Sequence, residues 1–372
     1  MKKGLVLFLT LCLLLTGCGK DPDPVHTTAG TTAAPTTEAT TVPPTTEPET
    51  EPTTEPTTAP TTEPEPAFRS PLTGEGMDQQ MVNRPIAVVV NNVKAAQPQH
   101  GVSDADILYE ILAEGGVTRC LAVFSDISMV GDIGSVRSAR TYFIDLARAY
   151  DAILIHAGKS EYAQKEFSSS GMNHFDGLTG MAASYFYRSS ARKSAGYSYE
   201  HTLFTSGDRI AKLLEKQDKY ELTREVIDFG WTFAEEPQLE GEAANKIVVQ
   251  FLKGGKKKTT LEYNAETGLY EAYQHNGEYI DGNSGETLSF RNVVIIKART
   301  TYDNDGSHQF VDLVATGDGW YACDGKIVPI KWTRTAEKGP FIFTYTDGTP
   351  IELGVGKSYM AVTPGTGVIT YE

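Results

Sequence analysis

The sequence predicts an α/β plus β protein: an N-terminal three-layer-type α/β domain with a largely parallel sheet, followed by a C-terminal, mostly antiparallel β domain. Two observations predict this. Apolar runs of strand and helix period alternate from Phe68 to about Asp228, whereas from Phe229 onward short strand-like runs are separated by glycine-containing turns. A third observation removes the first 66 residues from the fold, because they cannot build a core. The expected organisation is therefore 1–17 signal peptide, 18–66 tether, 67–228 α/β domain and 229–372 β-rich domain.

Lys2 and Lys3 precede an apolar run from Leu5 to Leu15, too short for a stable membrane span and fitting a signal h-region. It ends in Leu15-Thr16-Gly17-Cys18, which resembles a bacterial lipobox. That resemblance implies cleavage before Cys18 and lipidation of its thiol by diacylglycerol, with palmitate. The protein would then be held at the outer face of the bacterial cytoplasmic membrane, its partner there being the lipid bilayer. Residues 19–66 are nearly all Thr, Pro, Glu and Ala, with TTEPTT repeated. Such a segment buries too little apolar surface to offset its ordering entropy and reads as an extended, solvated tether.

Charge separates tether from domain. The whole chain carries −15, the signal +2 and the tether −8, leaving −9 for residues 67–372. An acidic domain on an acidic tether argues against nucleic acid, so an anionic ligand would need a local basic site. The two cysteines beyond Cys18, Cys120 and Cys323, lie in separate halves. A disulfide and two buried thiols are both compatible with them, and such sparse use favours thiols. No Cys/His spacing of a zinc site and no nucleotide or dinucleotide fingerprint occurs, so neither metal nor cofactor is expected.

The α/β part is expected to begin with a strand over Ile86 to Asn92. A helix over Asp104 to Ala113 follows, with Ser103 as N-cap and Ile107, Leu108, Ile111 and Leu112 as its buried stripe. Then come a strand over Val117 to Phe124, a helix from Ser138 to Tyr150 and a strand over Ala152 to His156. In the second helix Ser138 is the expected N-cap, and Tyr142, Leu146, Ala149 and Tyr150 form the buried stripe. Strand, helix, strand, helix, strand is the order of a right-handed crossover layer. Residues 158–225 are polar and aromatic, and a helix is expected over roughly Gly207 to Lys216. The β half is read as strands from Lys246 to Val362, with hairpin turns at Asp324-Gly325 and Asp347-Gly348.

The candidate site centres on the second helix. Arg137 and Arg140 flank its first turn, where free N–H groups and the macrodipole are already positive, so an anion should compensate them. It could be internal, from Glu110, Glu114, Asp132 or Asp145, or a bound ligand held by Arg119, Arg137, Ser138 and Arg140. Asn91, Glu110, Glu114, His156 and His201 are the candidate polar supports.

Longer stretches carry a family resemblance. Arg84-Pro85-Ile86-Ala87-Val88, Ala105-Asp106-Ile107-Leu108-Tyr109-Glu110, Glu114-Gly115-Gly116-Val117-Thr118-Arg119 and Gly134-Ser135-Val136-Arg137-Ser138-Ala139-Arg140 resemble the YerB-like family of Firmicute lipoproteins. So do Asn292-Val293-Val294 and Gly325-Lys326-Ile327-Val328-Pro329-Ile330-Lys331-Trp332. The resemblance spans residues 80–365 and implies an extracytoplasmic location and a pair of adjoining domains of unknown function, with no established reaction. The family has Asn-Thr after its late histidine, whereas Thr202 directly follows His201 here.

Two function classes follow. One is a non-catalytic cell-envelope module that binds an anionic wall polymer or a wall-synthesis protein through the arginines. The other is a hydrolase or transferase acting on wall glycan or phosphate ester, with Glu110 and Glu114 one helical turn apart and His156 nearby. No GxSxG or SxxK motif supports the second.

Overall fold

The computed structural model describes Glu65–Glu372. The signal segment, Cys18 and all but the last residues of the tether lie outside the described residues. Among those described, no helix is long and apolar enough to cross a membrane.

Strands dominate and helices are few, an α/β plus β arrangement. In the first half these are β1 (Ile86–Asn91), β2 (Ile107–Leu112), β3 (Thr118–Phe124), α1 (Thr141–Ala149), β4 (Ile153–His156), α2 (Glu161–Ser170) and β5 (His174–Asp176). In the second half the main strands are β6 (Lys246–Gln250), β7 (Lys258–Asn264), β8 (Leu269–Gln274), β9 (Asn292–Ala298), β10 (Thr316–Cys323), β11 (Lys326–Thr333), β12 (Ser358–Pro364) and β13 (Val368–Tyr371).

Strands from both halves share one eleven-stranded sheet. Its central order is β11, β10, β9, β12, β2, β3, β1, β4, β5. Strand β12, from the second half, sits between β9 and β2 and is parallel to both, pairing Ala361 with Glu110. The sheet is mixed rather than largely parallel, since β2 pairs β3 and β3 pairs β1 antiparallel, while β1 pairs β4 parallel. A six-stranded sheet built on β8, β7, β6 and β13 packs against one face of the large one.

The helix expected over 104–113 is the source of that difference, because residues 107–112 form strand β2. All six side chains of ILYEIL are buried, which a one-stripe helix cannot achieve and a strand between two covered faces can. Asp106, expected inside that helix, instead accepts a hydrogen bond from the Ser125 N–H at 2.5 Å and ties the strand's entry to the end of β3.

Strand alternation divides the core in two. Val88, Val90, Leu108, Cys120 and Ala122 point toward Ile247, Val249, Leu261 and Ala272 of the second sheet. Val89, Ile107, Tyr109, Ile111 and Leu121 point the other way, onto Tyr142, Phe143 and Leu146 of α1. The expected stripe Tyr142, Leu146, Ala149 and Tyr150 is buried there. Cys120 and Cys323 are free, buried thiols in different halves of this core.

Candidate anion-binding site

The site forms where three chain segments meet at one end of the large sheet. After β2 the chain turns through Glu114, Gly115 and Gly116. The two glycines have φ of 75° and 71°, a left-handed conformation that residues with a Cβ adopt only at a cost. This tight reversal returns the chain into β3, where Arg119 lies opposite both Ile111 of β2 and Asn91 at the end of β1.

The third segment is residues 136–140. It was expected to be helical from Ser138, but α1 begins at Thr141, with an extended Arg140 as N-cap and no side-chain cap. The reason is backbone pairing. Arg137 N–H donates to Val89 O, Ala139 N–H to Gly158 O and Ala157 N–H to Arg137 O, each at 2.9 Å, so the segment runs strand-like between β1 and the end of β4. Ser138 is thereby diverted, its hydroxyl donating to Ala157 O at 3.1 Å.

The arginines meet two carboxylates. Arg140 Nε donates to Glu114 Oε1 at 2.6 Å, and Arg119 Nη2 lies 3.9 Å from Glu114 Oε2. Arg137 donates from Nη2 to Glu200 Oε2 at 3.0 Å and from Nη1 to Glu200 O at 3.1 Å. Glu114 is therefore shared by two guanidiniums. Burial alone would raise its carboxyl pKa, but the Arg140 hydrogen bond and charge, with the Arg119 charge, outweigh burial and hold it below its ordinary value. Burial and then the like charge of Arg140 push the Arg119 guanidinium down to about 10. Three cations against two carboxylates leave one net positive charge. Beside them, among the described residues, Arg137 Nε is buried without a hydrogen-bond partner, while the Tyr142 hydroxyl faces the Gln309 side chain.

Asn91 and His201 join this site. The Asn91 amide N–H donates to His201 Nδ1 at 3.0 Å, which leaves the ring hydrogen on Nε2, 3.8 Å from Glu200 Oε1. Burial lowers the His201 pKa. Of the acidic partners expected for the arginines, only Glu114 serves. Asp145 lies 3.7 Å from Arg148, and burial raises its carboxyl to about 6.

Glu110 and His156 are elsewhere. Glu110 lies opposite Cys120 in the β2–β3 register, so it faces the second sheet, on the other side from Arg119. It is fully buried and fully bonded. Its Oε1 accepts from Asn92 at 2.8 Å and Thr118 at 2.6 Å and meets Lys257 Nζ at 2.9 Å, and its Oε2 accepts from Thr259 at 2.7 Å and Tyr359 at 2.8 Å. Since 107–112 is a strand, Glu110 and Glu114 are not one helical turn apart and form no carboxylate pair.

His156 is buried under α2, stacked on Phe167. Its Nδ1–H donates to Gly158 O at 2.8 Å, so its Nε2 accepts from His174 Nδ1 at 2.9 Å. Burial pushes its pKa down to about 4, and the ring is neutral at pH 7. Glu200, Lys257 and His174 were not singled out from the sequence, which carries no local signal for them: Glu200 reaches Arg137 across 63 positions, and Lys257 reaches Glu110 across 147.

Comparison with known proteins is decisive for the family. Residues 72–221 match the N-terminal domain model, and residues 247–360 the C-terminal domain model, of the protein family of unknown function DUF3048. The chain belongs to this family. Within it, the chain is 32% identical over 303 residues to a Bacillus subtilis (strain 168) protein, YerB, named as a lipoprotein, covering 80% of this chain and 86% of the relative. The crystal structure of YerB from Bacillus subtilis superposes with a TM-score of 0.69 at 28% identity, covering 82% of this chain and 99% of that one. The YerB-like assignment and the α/β plus β character thus rest on sequence and structure together.

Proposed function

We propose that this is a lipid-anchored, extracytoplasmic envelope protein whose folded part is a non-catalytic binding or regulatory module. It recognises an anionic wall polymer, or an acidic segment of a wall-synthesis protein, at Arg119, Arg137 and Arg140. The observation that carries this reading is the sharing of Glu114 by two guanidiniums, one of them with its pKa depressed to about 10. A bound anion would relieve that repulsion, and arginine's forked donors suit carboxylate or phosphate. Arg137 Nε would supply a donor that the described residues leave unused. Membrane attachment through Cys18 follows from the lipobox and agrees with the relative's name.

The test is a thermal-shift panel of muropeptides, teichoic acid fragments and sugar phosphates, run on the native protein and on Arg119→Gln/Arg137→Gln. A ligand at 100 times its Kd should add about 2.7 kcal/mol to the native protein and little to the variant. Equal shifts in both proteins would refute the site.

A further inference from the structure

We infer that a second, independent ligand site lies on the outer face of the six-stranded sheet, where a lysine-lined cleft takes a phosphate-bearing polymer. The sequence Lys253-Gly254-Gly255-Lys256-Lys257-Lys258 places four cations in six residues of a domain that is acidic as a whole. The structure sorts them by strand alternation. Lys257 points inward, its ammonium 2.9 Å from Glu110, while Lys256 and Lys258 point outward and are exposed.

Those two outward lysines line a cleft of about 350 Å³ together with Lys246, Glu262, Tyr273 and His275. Glu262 is the only carboxylate lining it and is already engaged by Lys246 at 2.6 Å. Among the described residues Lys256 and Lys258 make no ion pair, so both exposed ammoniums are available to an anion.

A second cleft of about 390 Å³ adjoins the first and adds Lys94 and Glu278, with Pro98 and Ile280. Between them stands the two-residue turn His275-Asn276, with φ of 56° and 68°, the geometry of a tight hairpin. The ridge is fixed in place, because His275 Nε2–H donates to Asn92 O at 3.3 Å. Lysines therefore stand on both sides of one rigid ridge, four against the carboxylates of Glu262 and Glu278, with the positive excess in the first cleft.

That layout selects the ligand. A single phosphate needs one side, whereas a chain of repeated phosphates can lie across the ridge and meet both. The cations are all lysines, compact point charges on flexible stems that can meet successive phosphates without fixing their orientation. A narrow polymer senses charge mainly within a Debye length of about 8 Å at physiological salt. An anionic bilayer presents a broad sheet to the whole −9 domain and is repelled.

The experiment measures binding of soluble polyphosphate by the full-length protein in neutral detergent, with inorganic phosphate, phosphatidylglycerol vesicles and phosphatidylcholine vesicles as comparison probes. Polyphosphate should bind, and Lys256→Ala/Lys258→Ala should weaken it by about tenfold. Lys256→Arg/Lys258→Arg should retain most of the affinity, and the loss caused by Lys256→Ala/Lys258→Ala should be the same in the parent and in an Arg119→Gln/Arg137→Gln background, since the two sites are separate. Both lysines are exposed, so the variants should melt where the parent does. Equal binding by the alanine variant, a lysine-variant loss that disappears in the arginine-site background, inorganic phosphate bound as tightly as the polymer, or binding confined to phosphatidylglycerol vesicles would each overturn the inference.

Discussion

Glu110→Gln should be among the most damaging single-atom changes available in this protein. The carboxylate lies on β2, Thr259 lies on β7 of the second sheet with Lys257 immediately before it, and Tyr359 lies on β12, so one buried charge ties three elements together. Glutamine keeps the shape but places N–H groups where Glu110 now only accepts, and it leaves the Lys257 ammonium buried without a counter-charge. Breaking one side of a buried ion pair costs about 3–5 kcal/mol. At about 2–4 °C per kcal/mol for a domain of this size, Tm should fall by roughly 6–20 °C. Adding Lys257→Met removes the stranded charge and should recover more than half of the loss.

The same pair sets an acid limb. Burial raises the Glu110 pKa, but Lys257 and the four hydroxyl and amide donors outweigh it, so the folded value lies below the ordinary one. Stability from Glu110 is then fully present above the unfolded carboxyl range and is lost as pH falls through the folded value. Urea unfolding at pH 7 and under acid conditions reads both effects. A Glu110→Gln protein within about 1 kcal/mol of the parent, or a double variant no better than the single, would refute the reasoning.

Other predictions follow from single sites. His156, held neutral with a pKa of about 4 against 6.5 unfolded, favours the folded state above pH 6.5 and withdraws that support as pH falls toward 4; His156→Phe should flatten the urea midpoint over this interval. Gly207→Ala should destabilise by about 2 kcal/mol or more, because a Cβ there would sit 1.8 Å from Ile127 O and 2.6 Å from Val130 O, and the loss should appear directly in Tm. Cys120 and Cys323 are both fully buried, so a thiol reagent should label them only after denaturant is added.

What the sequence made legible was local, and what it concealed depended on long-range pairing. The strand at Ile86, the α1 stripe and the helix at Gly207–Lys216 were readable because periodicity and caps are carried by neighbouring residues. The segment ILYEIL was misread because a run buried on both faces has no useful period. Its apolar residues fit a helical stripe as well as a central strand, and pairing with β3 on one side and with β12, about 250 residues later, on the other settles the matter. The α1 start was misread for a related reason, since Ser138 is a good cap by type but its backbone is claimed by β1 and the end of β4.

Recasting β2 as a strand also decides which charges meet. On a helix, Glu110 and Glu114 would share a face; on a strand followed by a glycine turn, Glu110 goes through the sheet to Lys257 and Glu114 stays behind with Arg119 and Arg140. The pairing consumes Glu110, Lys257 and Glu114 and leaves cationic excess on two surfaces, Arg119 with Arg137 at the sheet end and Lys256 with Lys258 across the second sheet. A two-state switch in the local structure of six residues thus separates a paired-carboxylate hydrolase from a protein with buried acids and outward-facing cations, which is why the chemistry follows from the topology rather than from the residues named in isolation.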